Sequence, residues 1–336
     1  MLKKYLFTPF ILSLSAQMDK EHTRNKINEW GKRGVPFLFI IDFEQENPLA
    51  WPLDEIPAHV HYNFNGITNR KHTTPLPHPI HFTKSPVGLD QYREKFDAVI
   101  RGLKKGDSYL LNLTSRTPVD TNLDLLTIYA NARSKYALCI EDQFVSFSPE
   151  TFVRIAGNYI YTFPMKGTID ADLPNARQKI MEDRKEAAEH ATIVDLMRND
   201  LSRIGREVTL LRFRYYEVLA VQGKNIGQVS SEIRATLPED FTHQLGDILY
   251  SLLPAGSISG APKQKTVELI RSIETEPRGY YTGVAFYYDG NTLDSCVLIR
   301  YLEKDGFFRS GGGITAQSQL QNEYQEMIDK VYVPFH

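Results

Sequence analysis

Cysteine is nearly missing from this chain: Cys139 and Cys296 are the two among 336 residues, each set in an apolar run (YALCIED and DSCVLIRY). Two such thiols give neither a disulfide framework nor a metal-ligand spacing, and they read as small buried side chains. Neither stands in a setting that would activate it as a nucleophile, so no glutaminase is encoded here. An excess of either charge is also lacking. Lys and Arg number 39 against 41 Asp and Glu, a formal net charge of −2, so no basic surface for nucleic acid is expected. Internal repeats and low-complexity segments are absent, and a hydrophobic content of 42% is that of an ordinary globular protein.

The opening stretch MLKKYLFTPFILSLSAQ has a basic start, an apolar middle and small residues near Ser15 and Ala16, the outline of a signal peptide. Pro9 and several hydroxyl residues dilute it, and it is too short to cross a bilayer as a permanent helix. An edge strand, or an over-long start upstream of Met18, explains it as well. The expectation is a cytoplasmic protein without a membrane partner.

PFLFIIDF (36–43) is a continuous apolar run of strand length. Residues 48–88 are rich in proline and histidine, with Pro75, Pro77 and Pro79 alternating, and read as loop. His59, His61, His72, His78 and His81 fall there without any ligand spacing. This stretch divides the chain into a short N-terminal portion, 1–87, packing on a main body, 88–336. The main body opens with a helical period over 89–105 and then the strand SYLLNLTSR. Strands are predicted at 143–147, 151–156 and 158–163, with Gly157-Asn158 as a hairpin turn. A long helix is predicted over roughly 175–200, strands over 207–221, and a helix at 242–253. SISGAPKQKTVELIRSIE opens a further helix with Pro262 in its first turn, strands at 281–288 and 293–302 flank Asp289-Gly290, and a last helix starts near 318. Antiparallel hairpins interrupted by helices predict an α+β fold.

Four glutamates carry the chemistry. Glu186 and Glu189 stand three apart in KEAAEH, as do Glu323 and Glu326 in NEYQEM, and both segments read as helix. Residues three apart share a helix face, so each helix offers two carboxylates to one side. If the helices face one another, they form an all-oxygen cage suited to Mg2+. Two solvated helix faces would give the same spacing.

The surrounding motifs resolve that choice. GDSYLLNLTSR, SPETFV, FPMKGTI, EAAEHATIVDLMRNDLSRIG, PAGSISGAPK, RGYYTGVAFYYDG and GGGITAQSQLQNEYQEMIDK, spanning about 106–330, resemble the chorismate-utilising enzymes in content and order. That family comprises the large subunits of anthranilate and aminodeoxychorismate synthases with their isochorismate and salicylate relatives. The resemblance implies a sandwich of two packed antiparallel β-sheets with helices outside and the active site between them. It implies Glu189 and Glu326 as direct magnesium ligands, with Glu186 and Glu323 in support, and Glu150 of SPETF as a general acid with a raised pKa. His190 would be a supporting histidine rather than a catalytic one.

Lys166 of FPMKGTI implies the branch that makes 4-amino-4-deoxychorismate, where a neutral lysine acts as nucleophile; anthranilate synthases carry alanine there. The strand SYLLNLTSR has no lysine, which disfavours the water-adding branches. By the same resemblance Tyr281 and Arg300 bind the enolpyruvyl carboxylate, Gly260, Gly311, Gly312 and Gly313 bring backbone N–H groups close to substrate, and Thr168 adds a hydroxyl. Gln228 stands where many members have histidine. The substrates implied are chorismate and ammonia, the latter delivered by a separate glutamine amidotransferase subunit. Anthranilate synthase component I, or a non-catalytic chorismate-binding subunit, would account for the same chain less fully.

Overall fold

The computed structural model describes residues 19–70, 74–221 and 224–335. The signal-like segment 1–17, His72 and part of the turn before Lys224 lie outside the described residues. Two nine-stranded sheets, paired antiparallel throughout, pack face to face. The predicted α+β sandwich is what the chain forms.

The strand Phe37–Ile41 shows how the layers are built. All five side chains are fully buried, yet they serve two cores. Phe37, Phe39 and Ile41 turn toward the helices Lys20–Arg33 and Leu245–Leu252, while Leu38 and Ile40 turn toward the second sheet. A strand covered on both faces has no polar position, which is why FLFII is unbroken. Each such side chain contributes roughly 1.5–3 kcal/mol on leaving water. Between the sheets Leu38 and Ile40 meet Tyr62, Phe64 and Tyr136, with Tyr287 stacked on Phe64 at 5.6 Å.

The helix Leu89–Lys105 follows its predicted period, burying Tyr92, Phe96, Val99 and Leu103. Gly106, at φ 86°, ends it in the left-handed conformation and donates its N–H to Gly102 and Leu103. Among the described residues no helix is long and apolar enough to cross a membrane.

Four expectations change, one being the strand predicted at 293–302, which is two, Leu293–Val297 in one sheet and Tyr301–Glu303 in the other. The helix predicted over 175–200 is two, Ala176–Glu182 and Arg184–Ser202. Asp183 (ψ 114°) leaves the helical region and accepts the Glu186 N–H at 2.9 Å, so a capping aspartate wins over helix continuation. Residues 48–88 are not only loop: Leu49–Pro52, Val60–Phe64, Ile67–Thr68 and Phe82–Lys84 are strands. Proline closes the first of these, and Val60, Tyr62 and Phe64 alternate inward across the second. Pro262 is not within the first turn of its helix but caps Lys263–Ile273 from outside, after a separate single turn, Gly256–Ser259.

Candidate active site

Lys166 lies on the strand Met165–Asp170, which pairs with Lys224–Thr236. The register runs Met165 to Ser230, then jumps to Thr168 opposite Gln228. Two residues, Lys166 and Gly167, therefore oppose one, a β-bulge that re-aims the lysine. Gly167 takes φ 92°, and a Cβ there would stand 3.0 Å from Glu186 Oε2. Glycine thus permits both the bulge and the close approach of that carboxylate.

Both glutamate pairs converge on this bulge. Glu186 and Glu189 stand on Arg184–Ser202, whose start is fixed by the Asp183 cap. Glu323 and Glu326 stand on Leu320–Asp329, over the strand Phe307–Thr315, and a Cβ on Gly312 would be 3.6 and 3.5 Å from their oxygens. Lys166 Nζ is 2.9 Å from Glu189 Oε2, and Lys185 Nζ is 3.6 Å from Glu189 Oε1. Lys330 Nζ is 2.6 Å from Glu326 Oε1 and also donates to the Gly311 carbonyl at 2.9 Å. Glu323 accepts from the Ser318 hydroxyl at 2.7 Å.

Burial alone would push Lys166 down, but Glu189, then Glu186 and Glu326, more than reverse it, and the ammonium is held above its ordinary range. That differs from the neutral lysine expected of a nucleophile. Burial pushes Glu186 and Glu323 up, and it is the largest single effect at Glu326 too, but there Lys330, with Lys166 and Arg300, together outweigh it and hold the carboxyl down. Glu186 and Glu323 thus remain the incompletely compensated members.

Does this place suit a divalent cation? The donors are carboxylates with no imidazole or thiolate among them, the chemistry of a hard ion. The incompletely compensated charge on Glu186 and Glu323 points the same way. Among the described residues, however, no three such groups stand close enough together to hold an ion. Where the cage is expected, Glu189 and Glu326 are instead paired with the ammonium groups of Lys166, Lys185 and Lys330.

The second half of the site holds Glu150, beyond the strand Phe144–Ser148. Ser257 of the single turn Gly256–Ser259 donates to Glu150 Oε1 at 2.5 Å, and the Glu150 N–H donates to Ser148 Oγ at 3.1 Å. Burial pushes the Glu150 carboxyl up, against the Ser257 bond and the nearby Lys330 and Arg300. Lys330 and Arg300 act on Glu326 as well, so the two halves share a border. Arg300 takes φ 53° and sets its guanidinium 5.3 Å over the Tyr332 ring. Its Nε is buried without a hydrogen-bond partner, a donor left for something further. Tyr281 is buried 5.8 Å from the Tyr301 ring, with Arg300 within electrostatic reach. A cleft of about 210 Å³ opens beside Lys166 and Glu189, walled by Tyr109, Thr192 and Thr315.

The remaining candidates separate. Gly312 faces the carboxylates, but a Cβ on Gly311 would meet the Leu113 carbonyl at 2.4 Å and one on Gly313 the Leu110 side chain at 3.1 Å. Gly260, at φ 134°, would put a Cβ 1.8 Å from the Leu110 carbonyl, where it pairs with the strand Leu110–Thr121. Its glycine is required by strand pairing. Thr168 is exposed. His61 and His81 pair singly with Glu141 and Asp120 and form no cluster. Lys330, Lys185 and Ser257 were not singled out from the sequence. Lys330 follows Glu326 by four residues, a helical spacing that could have flagged it.

A sandwich of antiparallel sheets with a buried acid, a lysine and paired carboxylates gathered at one place is an arrangement suited to small-molecule chemistry. The chain belongs to the chorismate-binding enzymes, whose family profile matches residues 18–335. It is 47% identical over 323 residues to a PabA-like protein of Haemophilus influenzae, covering 95% of this chain and 98% of that one. It is 34% identical to anthranilate synthase component 1 of Archaeoglobus fulgidus, over 71% of this chain and 61% of the relative. To aminodeoxychorismate synthase component 1 of Escherichia coli it is also 34% identical, over 74% of this chain and 57% of the relative. The menaquinone-specific isochorismate synthase of Escherichia coli shares the fold, with a TM-score of 0.73 at 16% identity, covering 95% and 82% of the two chains.

Proposed function

We propose that this chorismate-utilising enzyme aminates chorismate at C4, giving 4-amino-4-deoxychorismate on the route to p-aminobenzoate and folate. The observation that carries the reading is Lys166, presented by a bulge beside Glu189 within a matching motif. Once deprotonated, Lys166 Nζ forms a bond to ring C2, the ring double bonds shift, and the C4–O bond breaks. Glu150, whose carboxyl burial pushes up, delivers its proton so that hydroxide leaves as water. Ammonia then bonds to C4, the double bonds return, and the C2–Nζ bond breaks; the proton shed by the new amine restores Glu150. Arg300, with its unpaired Nε, receives the enolpyruvyl carboxylate beside Tyr281. Glu186, Glu189, Glu323 and Glu326 would hold Mg2+, which when bound neutralises the ring carboxylate and fixes the ring's register.

Both cysteines are buried with thiols pushed well up, so neither is an amide-hydrolysing nucleophile. Ammonia would come from solution or from a separate glutamine amidotransferase subunit, and the setting would be the cytoplasm. The equal likeness to an anthranilate synthase component supports that activity as a second reading.

Mass spectrometry of the products from chorismate, Mg2+ and ammonium tests both. Exchange of hydroxyl for amine with the pyruvyl arm retained is expected, and an added lyase should convert that product to p-aminobenzoate. Anthranilate in its place would overturn the proposal. So would unimpaired turnover by Lys166→Ala.

A further inference from the structure

His190 is a fully buried titratable group that the chemistry above leaves idle. It follows Glu189 on the helix Arg184–Ser202, has no exposed surface, and faces the strand that pairs with the lysine's own. Its Nε2 is 2.7 Å from Ser231 Oγ. That hydroxyl also accepts the Arg214 N–H at 3.0 Å, and the Ser231 N–H donates to the Pro164 carbonyl at 3.0 Å, two residues before Lys166. Ser231 thus touches three elements at once: the helix of Glu189, the outer strand Arg206–Val221, and the start of the bulged strand.

With the Arg214 N–H on one lone pair, the Ser231 hydroxyl can still accept from or donate to Nε2, according to the imidazole tautomer; in either case the bond joins the two residues. Nδ1 is buried without a hydrogen-bond partner; burial pushes the ring's pKa down, and the Lys166 main chain acts against that push. The Phe213 ring stands 5.9 Å away, edge to face. The imidazole is therefore wedged between the element carrying Glu189 and the bulge carrying Lys166.

We infer that His190 and Ser231 are positioning residues for Lys166: their bond ties the glutamate helix to the bulged strand and so sets the 2.9 Å spacing between Lys166 and Glu189. The inference rests on Lys166 being the reacting group. Regular pairing cannot do this work, because the ladder is interrupted between Met165 and Thr168. In this chain the position paired with Thr168 is Gln228, whose amide is spent on Met165, Ser230 and Glu217. The tie from helix to bulge thus falls to His190 and Ser231.

The test uses the full chain with His190→Leu, Ser231→Ala and the pair combined, plus His190→Gln, whose amide can keep the Ser231 bond. Lys166 acylation by an amine-directed ester is read by mass spectrometry against exposed Lys32. Each single variant should raise relative Lys166 labelling at least about threefold, and the double should match the larger single, as residues acting through one bond do. Turnover with ammonium should fall at least about tenfold with the chorismate KM within about twofold, the pattern of misplaced chemistry rather than lost binding. His190→Gln should recover most of both. If His190→Leu does not fold, Ser231→Ala, the smaller change, decides. Unchanged Lys166 labelling in Ser231→Ala, or additive effects in the double variant, overturns the inference. No amination by the wild type would sink the nucleophile reading, while labelling would still decide whether the clamp sets the spacing.

Discussion

Lys166 Nζ lies 2.9 Å from Glu189 Oε2, so the group proposed as nucleophile and a group proposed as metal ligand hold one another. If the glutamates hold the proposed Mg2+, the ion would compete with Lys166 for that oxygen, and filling the carboxylate site would favour release of the lysine.

Lys166→Met removes the competing charge. Binding of Mn2+, followed by electron paramagnetic resonance without substrate, should tighten about tenfold, as expected when a like charge a few ångströms away is deleted. Weaker binding would mean that the lysine supports the ion rather than excluding it.

Glu150 gives a pH signature. Its carboxyl is raised by burial, so the protonated, proton-donating form persists above the usual carboxylate range and is lost as pH climbs through the raised value. Turnover should decline on that basic limb. Ser257→Ala removes a bond that favours the carboxylate, so the limb should move to higher pH; a shift downward contradicts the assignment.

The glycines separate fold from site. Gly260→Ala combines φ 134° with a 1.8 Å clash on the Leu110 carbonyl, and thermal or denaturant unfolding should report a loss of at least about 3 kcal/mol. Gly312→Ala meets the nearest atoms at 3.5 Å or more, so its stability cost should stay within about 1 kcal/mol. Its effect should appear in divalent-cation affinity, because the methyl lies against both Glu323 and Glu326.

Arg300→Gln should raise the chorismate KM by at least about tenfold, since a bidentate carboxylate partner is replaced by a neutral amide. A KM unchanged within error would place the enolpyruvyl carboxylate elsewhere.

Much of this was legible from residue order. FLFII reads as a doubly covered strand because no polar residue interrupts it, and Glu186 with Glu189 shares a face because three residues nearly close a helical turn. Lys185 and Lys330 pair four residues away on the glutamates' own helices, so their spacing was legible; the Lys166–Glu189 pair was not, because it joins a strand to a helix through the fold. The break at Asp183 was hidden because the helical pattern continues on both sides, and only the cap geometry ends it. Gly260 reads from sequence as a turn approaching substrate; that its glycine is also needed beside the Leu110 carbonyl is visible only when the strands are paired. The residues 48–68 were hardest, because proline and histidine conceal an inward alternation of Val60, Tyr62 and Phe64.

The strand Phe37–Ile41 has Val284–Tyr288 as a hydrogen-bonded neighbour, with Phe39 opposite Phe286. The first sheet therefore cannot close until nearly the whole polypeptide has been made. A chain emerging from the ribosome must keep one of its most apolar segments waiting for a partner some 245 residues downstream, by the Phe37-to-Tyr288 and Ile41-to-Val284 pairing. Such long-range closure makes folding slow and late, and it makes the growing chain, rather than the finished enzyme, the form most in need of protection from aggregation.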